Sequence, residues 1–223
     1  MAPIAGATCS TCGEVLQQTN PWEESTICIL CREDPPAYKA AVAYGAYEGE
    51  LRELIHLLKY DQVHPAAAVL GRMLARAFAK LEFTEPVIVI PVPLHRSKHR
   101  QRGFNQSESI TQNALKSMRD KRFRLDTDIL QRTRPTVSQI GLTRPQRREN
   151  MRGAFKVPHL NRVSGRDILL VDDVMTTGTT VAECARVLRR AGARNVWVAT
   201  VARTLKNSGS IEVSEPAAVA VNE

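Results

Sequence analysis

The sequence predicts an α/β fold, a parallel sheet flanked by helices, with a small four-cysteine ribbon in front of it. Three observations lead there. Apolar runs of strand length alternate with stretches of helical spacing, the pattern of a parallel sheet covered on both faces. One of those runs, Ile168 to Val171, has no polar alternation, as expected of a strand buried on both sides. Ahead of them, Cys9, Cys12, Cys28 and Cys31 form two Cys-x2-Cys pairs separated by fifteen residues.

Taken in order, residues 1–36 form the ribbon, which ends at Asp34-Pro35-Pro36. Tetrahedral zinc takes four thiolates, and two short knuckles present them in pairs. Two disulfides are the alternative, but a cytosolic chain rarely keeps them. Four protein ligands close the site, so the zinc is expected to be structural. Residues 37–206 make the main domain. Tyr38 to Tyr47 suggests a short hairpin turning near Gly45. Leu51, Leu54, Ile55 and Leu58 give helical spacing to Glu48–Tyr60, and an alanine-rich helix covers His64–Leu81. Pro86–Val92 reads as a strand, Asn105–Met118 as a helix and Ile129–Gln131 as a strand. Arg144–Met151 is a short helix or the ordered part of a loop. A strand-loop-helix-strand unit from Asp167 to Ala202 closes the domain, with Cys184 buried in its helix. Residues 207–223 have few large side chains and read as a disordered tail.

Charge narrows the partners. The net charge is +8, yet residues 94–152 hold 15 of the 31 Lys and Arg and only 5 of the 23 acids, a local +10. Such a focus attracts diphosphates or a nucleic-acid backbone. No apolar run reaches the roughly 18 residues of a membrane span, and no secretory signal is visible. The expectation is a cytoplasmic protein that is not inserted in a membrane.

The densest chemistry lies in Asp167–Val181. Asp172 and Asp173 follow the apolar run, where open α/β sheets place ligands. Thr176, Thr177, Gly178, Thr179 and Thr180 then offer hydroxyls and N–H groups at a helix start, a setting for phosphate. The carboxylates suit vicinal sugar hydroxyls. A diol beside a phosphate describes a ribose 5-phosphate. Acids and threonines could instead merely cap the helix, but one cap needs neither two acids nor four threonines. Arg96, Lys98, Arg100 and Arg102 follow the Pro86–Val92 strand with no acid among them, which suits an anion.

The loop resembles the phosphoribosyl-diphosphate (PRPP) loop of the type I phosphoribosyltransferases, and the whole chain resembles one family. Val92-Pro93-Leu94-His95-Arg96 through Arg102-Gly103-Phe104-Asn105-Gln106 is similar to the ComF signature. Leu51-Arg52-Glu53-Leu54-Ile55 with Leu58-Lys59-Tyr60 agrees, as do Leu130, Arg132, Arg134, Thr136, Gln139, Leu142, Arg147, Asn150 and Gly153-Ala154-Phe155. The match runs from Cys9 to Arg203.

The resemblance implies a type I phosphoribosyltransferase fold with a zinc ribbon. It implies PRPP or a ribose 5-phosphate-like ligand, with Asp172 and Asp173 on the ribose hydroxyls and magnesium. Thr176 to Thr180 would hold the 5-phosphate, and Arg96, Lys98 and Arg102 the diphosphate. Residues 132–152 would close over the site, bringing Arg132 and Arg147 as charge stabilisers; the plainer reading of both is a solvated cation. Lys59-Tyr60 is either a helix end with a snorkelling lysine or part of the site. Phe104 and Phe155 read as core. The family's context is DNA uptake in natural competence, with DNA-uptake or DNA-processing proteins as partners. Two functions follow: phosphoribosyl transfer to an acceptor that the sequence does not identify, or a non-catalytic single-stranded nucleic-acid-binding module of a DNA import machinery, single-stranded DNA included, that uses the basic segment and the zinc ribbon. Eleven aromatics in the chain, two of them in 94–152, leave few platforms for base stacking.

Overall fold

A computed structural model of the chain describes residues 2–16, 26–136 and 143–205. The ribbon contains an antiparallel bridge between Thr8 and Val15 and one short helix, α1 (Ile29–Glu33). Then come β1 (Ala40–Ala46), α2 (Gly49–Lys59), α3 (Ala66–Phe78), β2 (Val87–Pro91), α4 (Arg96–Arg102) and α5 (Gln106–Met118). β3 (Phe123–Leu125), β4 (Gln131–Arg132), α6 (Arg144–Met151) and β5 (Phe155–Lys156) follow. β6 (Asp167–Met175), α7 (Thr179–Arg190) and β7 (Asn195–Arg203) complete the order.

Five strands pair in parallel in the order β1-β7-β6-β2-β3. The alternation of side chains along each strand divides the core in two. On β6, Ile168 and Leu170 join one cluster with Val181, Ala185 and Leu188 of α7. Leu169 and Val171 join the other, with Leu58 of α2, Leu70 and Leu74 of α3 and Ile110 of α5. These strand residues are fully buried, which is why the run carries no polar alternation. Each such side chain withdrawn from water contributes about 1.5–3 kcal/mol.

β1 lies at the sheet edge, and the ribbon covers it. Ala41 N–H donates to the Thr11 carbonyl at 2.7 Å, and Ile4 N–H to the Tyr44 carbonyl at 2.9 Å. Gly13 makes this approach possible. Its φ is +72°, and a Cβ there would lie 2.6 Å from the Ala41 carbonyl oxygen. An open strand edge that would otherwise invite foreign pairing is thereby closed.

Several expectations need correction. Tyr38–Tyr47 is not a hairpin: β1 is one strand, parallel to β7, and its small residues pack under α3. Ile129 and Leu130 are buried but precede the strand; β4 is only Gln131–Arg132, paired antiparallel with β5 outside the main sheet. The strand beside β2 is β3, three residues at the sheet edge and too short to stand out in the sequence. The basic segment is helical over Arg96–Arg102, capped by His95 and stopped by Gly103 at φ +84°. β6 does not end before the acids but runs on to Met175. Gln139, Leu142 and the tail 207–223 lie outside the described residues.

Phe155 and Cys184 are buried, as expected. Phe104 packs edge-on against His64, with ring centroids 4.9 Å apart. Among the described residues, no helix is long and apolar enough to cross a membrane.

Candidate functional site

Neighbouring strands β2 and β6 send their chains to opposite sides. β2 continues through α4 and α5 to β3, and β6 through α7 to β7, with α5 and α7 on opposite faces of the sheet. The crevice beyond their C-terminal ends is the topological switch point where such sheets bind ligands. The basic segment enters it from β2 and the acid pair from β6.

The two acids have different surroundings. Asp173 is almost fully buried; its Oδ1 accepts from Val174 N–H at 2.7 Å, and its Oδ2 pairs with Lys59 Nζ at 2.6 Å. Lys59 is the last residue of α2, so the helix places it directly over the strand end. Burial works against the lysine's charge, but Asp173, with help from Asp172, more than restores it and raises its pKa. Asp172 Oδ1 accepts from the Ser107 hydroxyl and from Asp173 N–H, both at 2.9 Å. Burial, and then the adjacent Asp173 charge, push its carboxyl up to about 7.

Cations converge on this pair. Arg132 is largely buried and feels the charge of Asp172; desolvation lowers its pKa. Its guanidinium lies 5.5 Å from the centre of the Phe155 ring, one terminal nitrogen donates to Thr136, and its Nε has no hydrogen-bond partner among the described residues. Lys98 is depressed by desolvation and then by repulsion from Arg132, Arg102 and Lys59. Arg102 sits 5.8 Å over the Tyr60 ring and donates to Gln106. Lys59, Lys98, Arg102 and Arg132 thus surround two carboxylates, an excess of positive charge aimed at the switch point. Arg96 is exposed at the start of α4.

The threonine turn continues from β6 into α7. Gly178 takes the N-cap at φ +75°, where no side chain caps the helix, and a Cβ there would lie 2.7 Å from Met175 Cε. The hydroxyls of Thr177 and Thr179 bond to each other at 2.9 Å. This turn opens on a cleft of about 1290 Å³ between the ribbon, α6 and α7, lined by Thr176–Thr179, Tyr38, Cys12, Arg147, Arg152 and Arg186 among others. Neither Asp172 nor Asp173 lines it. Arg132 and Arg147 are therefore separated: one stands by the acids, the other in the cleft beside the threonine turn.

Ser107 was not singled out in the sequence; it lies in the first turn of α5, which follows α4 rather than a strand, so the signal that marked β6 is missing there. Arg203 was missed as well. It is buried at the end of β7, donates to the Cys12 carbonyl and pairs with Glu14 at 2.7 Å, joining the ribbon to the sheet.

In the ribbon the four thiol sulfurs lie within 4.8 Å of one another, and none is in a disulfide. Cys12 and Cys28 Sγ are 3.7 Å apart, close to the roughly 3.8 Å edge of a tetrahedron with 2.3 Å metal–sulfur bonds. Cys9 Sγ accepts from the N–H groups of Cys12 and Cys28, at 3.5 and 3.3 Å. Burial opposes its ionisation, but such N–H groups outweigh it and lower its pKa to about 7. The donor set is one that could hold a metal ion.

The model of the family "Phosphoribosyl transferase domain" matches residues 59–221. The chain belongs to this phosphoribosyltransferase family. Among similar curated proteins is DNA utilization protein YhgH of Escherichia coli O6:H1, 37% identical over 184 residues, covering 80% of this chain and 78% of that one. Another is Competence protein F of Haemophilus influenzae, 30% identical over 200 residues, covering 87% and 84%. The ComF-like assignment that the motifs implied therefore holds. So does the phosphoribosyltransferase fold with its N-terminal four-cysteine ribbon.

Proposed function

We propose that this ComF-like protein binds PRPP, or a ribose 5-phosphate-like ligand, at the switch point between β2 and β6. The observation that carries the reading is the continuous path from β6 into α7. It sets the acid pair, Asp173 buried and Asp172 half-buried, a few residues before a helix start with no side-chain cap. In this reading Thr176 to Thr180 hold the 5-phosphate through N–H groups and hydroxyls. Asp172 and Asp173 accept from the ribose hydroxyls, whose donors relieve the repulsion between adjacent buried carboxylates. Lys98 and Arg102, with Arg96 at the rim, meet the diphosphate, and the unpartnered Nε of Arg132 supplies a further donor. Arg147 approaches the 5-phosphate from the cleft side.

Magnesium suits the carboxylate oxygens, and when bound it would neutralise charge on a departing diphosphate. Zinc suits the four thiols, in a structural role. Transfer of the phosphoribosyl group to an acceptor is the activity this arrangement would serve. The names of the relatives support DNA uptake or processing as the context, and the reading takes the protein to work in the cytoplasm.

Calorimetry with PRPP and magnesium tests the binding. The native chain should bind, and Asp173→Asn should weaken binding by at least about tenfold, or ~1.4 kcal/mol. No heat with the native chain overturns the reading. Release of diphosphate across a panel of bases and amines then tests transfer.

A second reading, single-stranded DNA binding, is favoured by the arginines along the cleft between ribbon and α7. It would be electrostatic, because Phe104 and Phe123 are packed against the core rather than free to stack. A mobility shift that is absent even at low salt removes it.

A further inference from the structure

We infer that Lys59 is an exchangeable internal counter-ion: it neutralises Asp173 in the empty site, and a divalent cation arriving with a diphosphate takes its place. The identity of the arriving ligand rests on the PRPP reading above; the exchange itself rests on the residues around Lys59.

Asp173 has one oxygen committed to the chain, since Oδ1 accepts from Val174 N–H. Lys59 occupies the other through a single contact at 2.6 Å. A cation that binds Asp173 through Oδ2 must therefore displace the lysine. Asp172 has its Oδ1 engaged by Ser107 and the Asp173 amide, so a dication held between the two acids meets Lys59 at Asp173 Oδ2.

The surroundings of Lys59 make such a move feasible. Asp173 and Asp172 attract its ammonium, while Lys98 faces it as a like charge, with Arg102 and Arg132 acting on the same cluster. The pair is not sealed: the lysine side chain keeps 16% of its accessible surface. Before a ligand arrives, Asp173 and Asp172 are the carboxylates that hold Lys59, and Asp172 also acts on Arg132. A diphosphate changes that balance. It gives Lys59 a new partner alongside Lys98 and Arg102 while its accompanying dication satisfies Asp173. Lysine suits the exchange, being a point charge on a flexible stem rather than a planar fork fixed in one geometry.

The exchange predicts opposite effects on two ligands when the lysine is removed, which a purely structural role would not give. With Mn2+ as the metal probe and no phosphate present, Lys59→Met should bind at least tenfold tighter than the native chain, because nothing has to be displaced. With inorganic diphosphate and no divalent metal, it should bind at least tenfold weaker, because one cation is missing. Lys59→Arg, which keeps the charge, should show no gain in Mn2+ affinity, and circular dichroism checks that each variant is folded.

Mn2+ affinity unchanged or weakened in a folded Lys59→Met chain overturns the exchange, as does unchanged diphosphate affinity. The two readings separate cleanly. A native chain that ignores PRPP while Lys59→Met gains Mn2+ defeats only the PRPP reading. PRPP binding by the native chain with no gain of Mn2+ in the variant defeats only the exchange.

Discussion

Around the four thiols of the ribbon, the partly buried aliphatic side chain packed against them is Leu16, whereas the sheet is clasped between two clusters of fully buried Leu, Ile and Val. Among its described residues the ribbon therefore has little apolar burial with which to offset the entropy of ordering its loops. Thiolate–metal bonds are the force that can do so. The sheet needs no metal, because β6 alone buries Ile168, Leu169, Leu170 and Val171 completely. On the proposed metal reading one chain uses two different means of stabilisation, and the two regions meet at Arg203, whose guanidinium ties the Cys12 carbonyl and Glu14 to the end of β7.

The comparison breaks first at the metal. Cys31→Ser should empty the ribbon of metal, because structural zinc sites of this kind contribute about 10–16 kcal/mol. The ribbon should then become sensitive to protease while the sheet keeps its cooperative melting. Metal content per chain together with limited proteolysis checks this; a variant that retains one metal ion and an intact ribbon would show that the thiols are not what holds it.

A core substitution should do the reverse. Leu170→Ala leaves a cavity under α7 and should cost about 2–5 kcal/mol in urea unfolding, with metal content unchanged. Loss of metal along with that stability would mean that the two regions are one cooperative unit.

The effect that varies with pH lies in the site. Asp172 titrates at about 7 in the folded chain instead of its ordinary 3.8. Between those values the folded chain holds a proton that the unfolded chain has released. Its contribution to stability is therefore present at low pH and is lost as pH rises toward 7, by up to about 1.4 kcal/mol per pH unit. Urea midpoints of the native chain should fall across this window relative to Asp172→Asn, whose amide does not titrate. Parallel curves would mean that Asp172 is already ionised in the folded chain.

How much was legible follows from the range of each interaction. The continuous apolar run of β6, the two Cys-x2-Cys pairs and the acid–threonine sequence are local patterns, and each reports its own surroundings. β1 misled because Ala40, Ala41, Ala43 and Gly45 lack the large side chains that mark a strand, and Gly45 mimics a turn. β3 was missed because Phe123-Arg124-Leu125 is an edge strand of three residues, with little buried surface to impose a pattern. Lys59 stayed ambiguous because its partner lies more than a hundred residues away in the chain.

The sequence by itself determined the parallel sheet, the four-thiol ribbon and a loop suited to a ribose phosphate, because each depends on contacts within one short segment. Only the tertiary structure decided that Lys59 sits on Asp173, that Ser107 serves Asp172 and that Arg203 fastens the ribbon beside the threonine turn. Those are pairings of charge and hydrogen bonds across the packed sheet. Electrostatic partners are chosen by distance in space, and the spacing of residues along the chain carries no record of it.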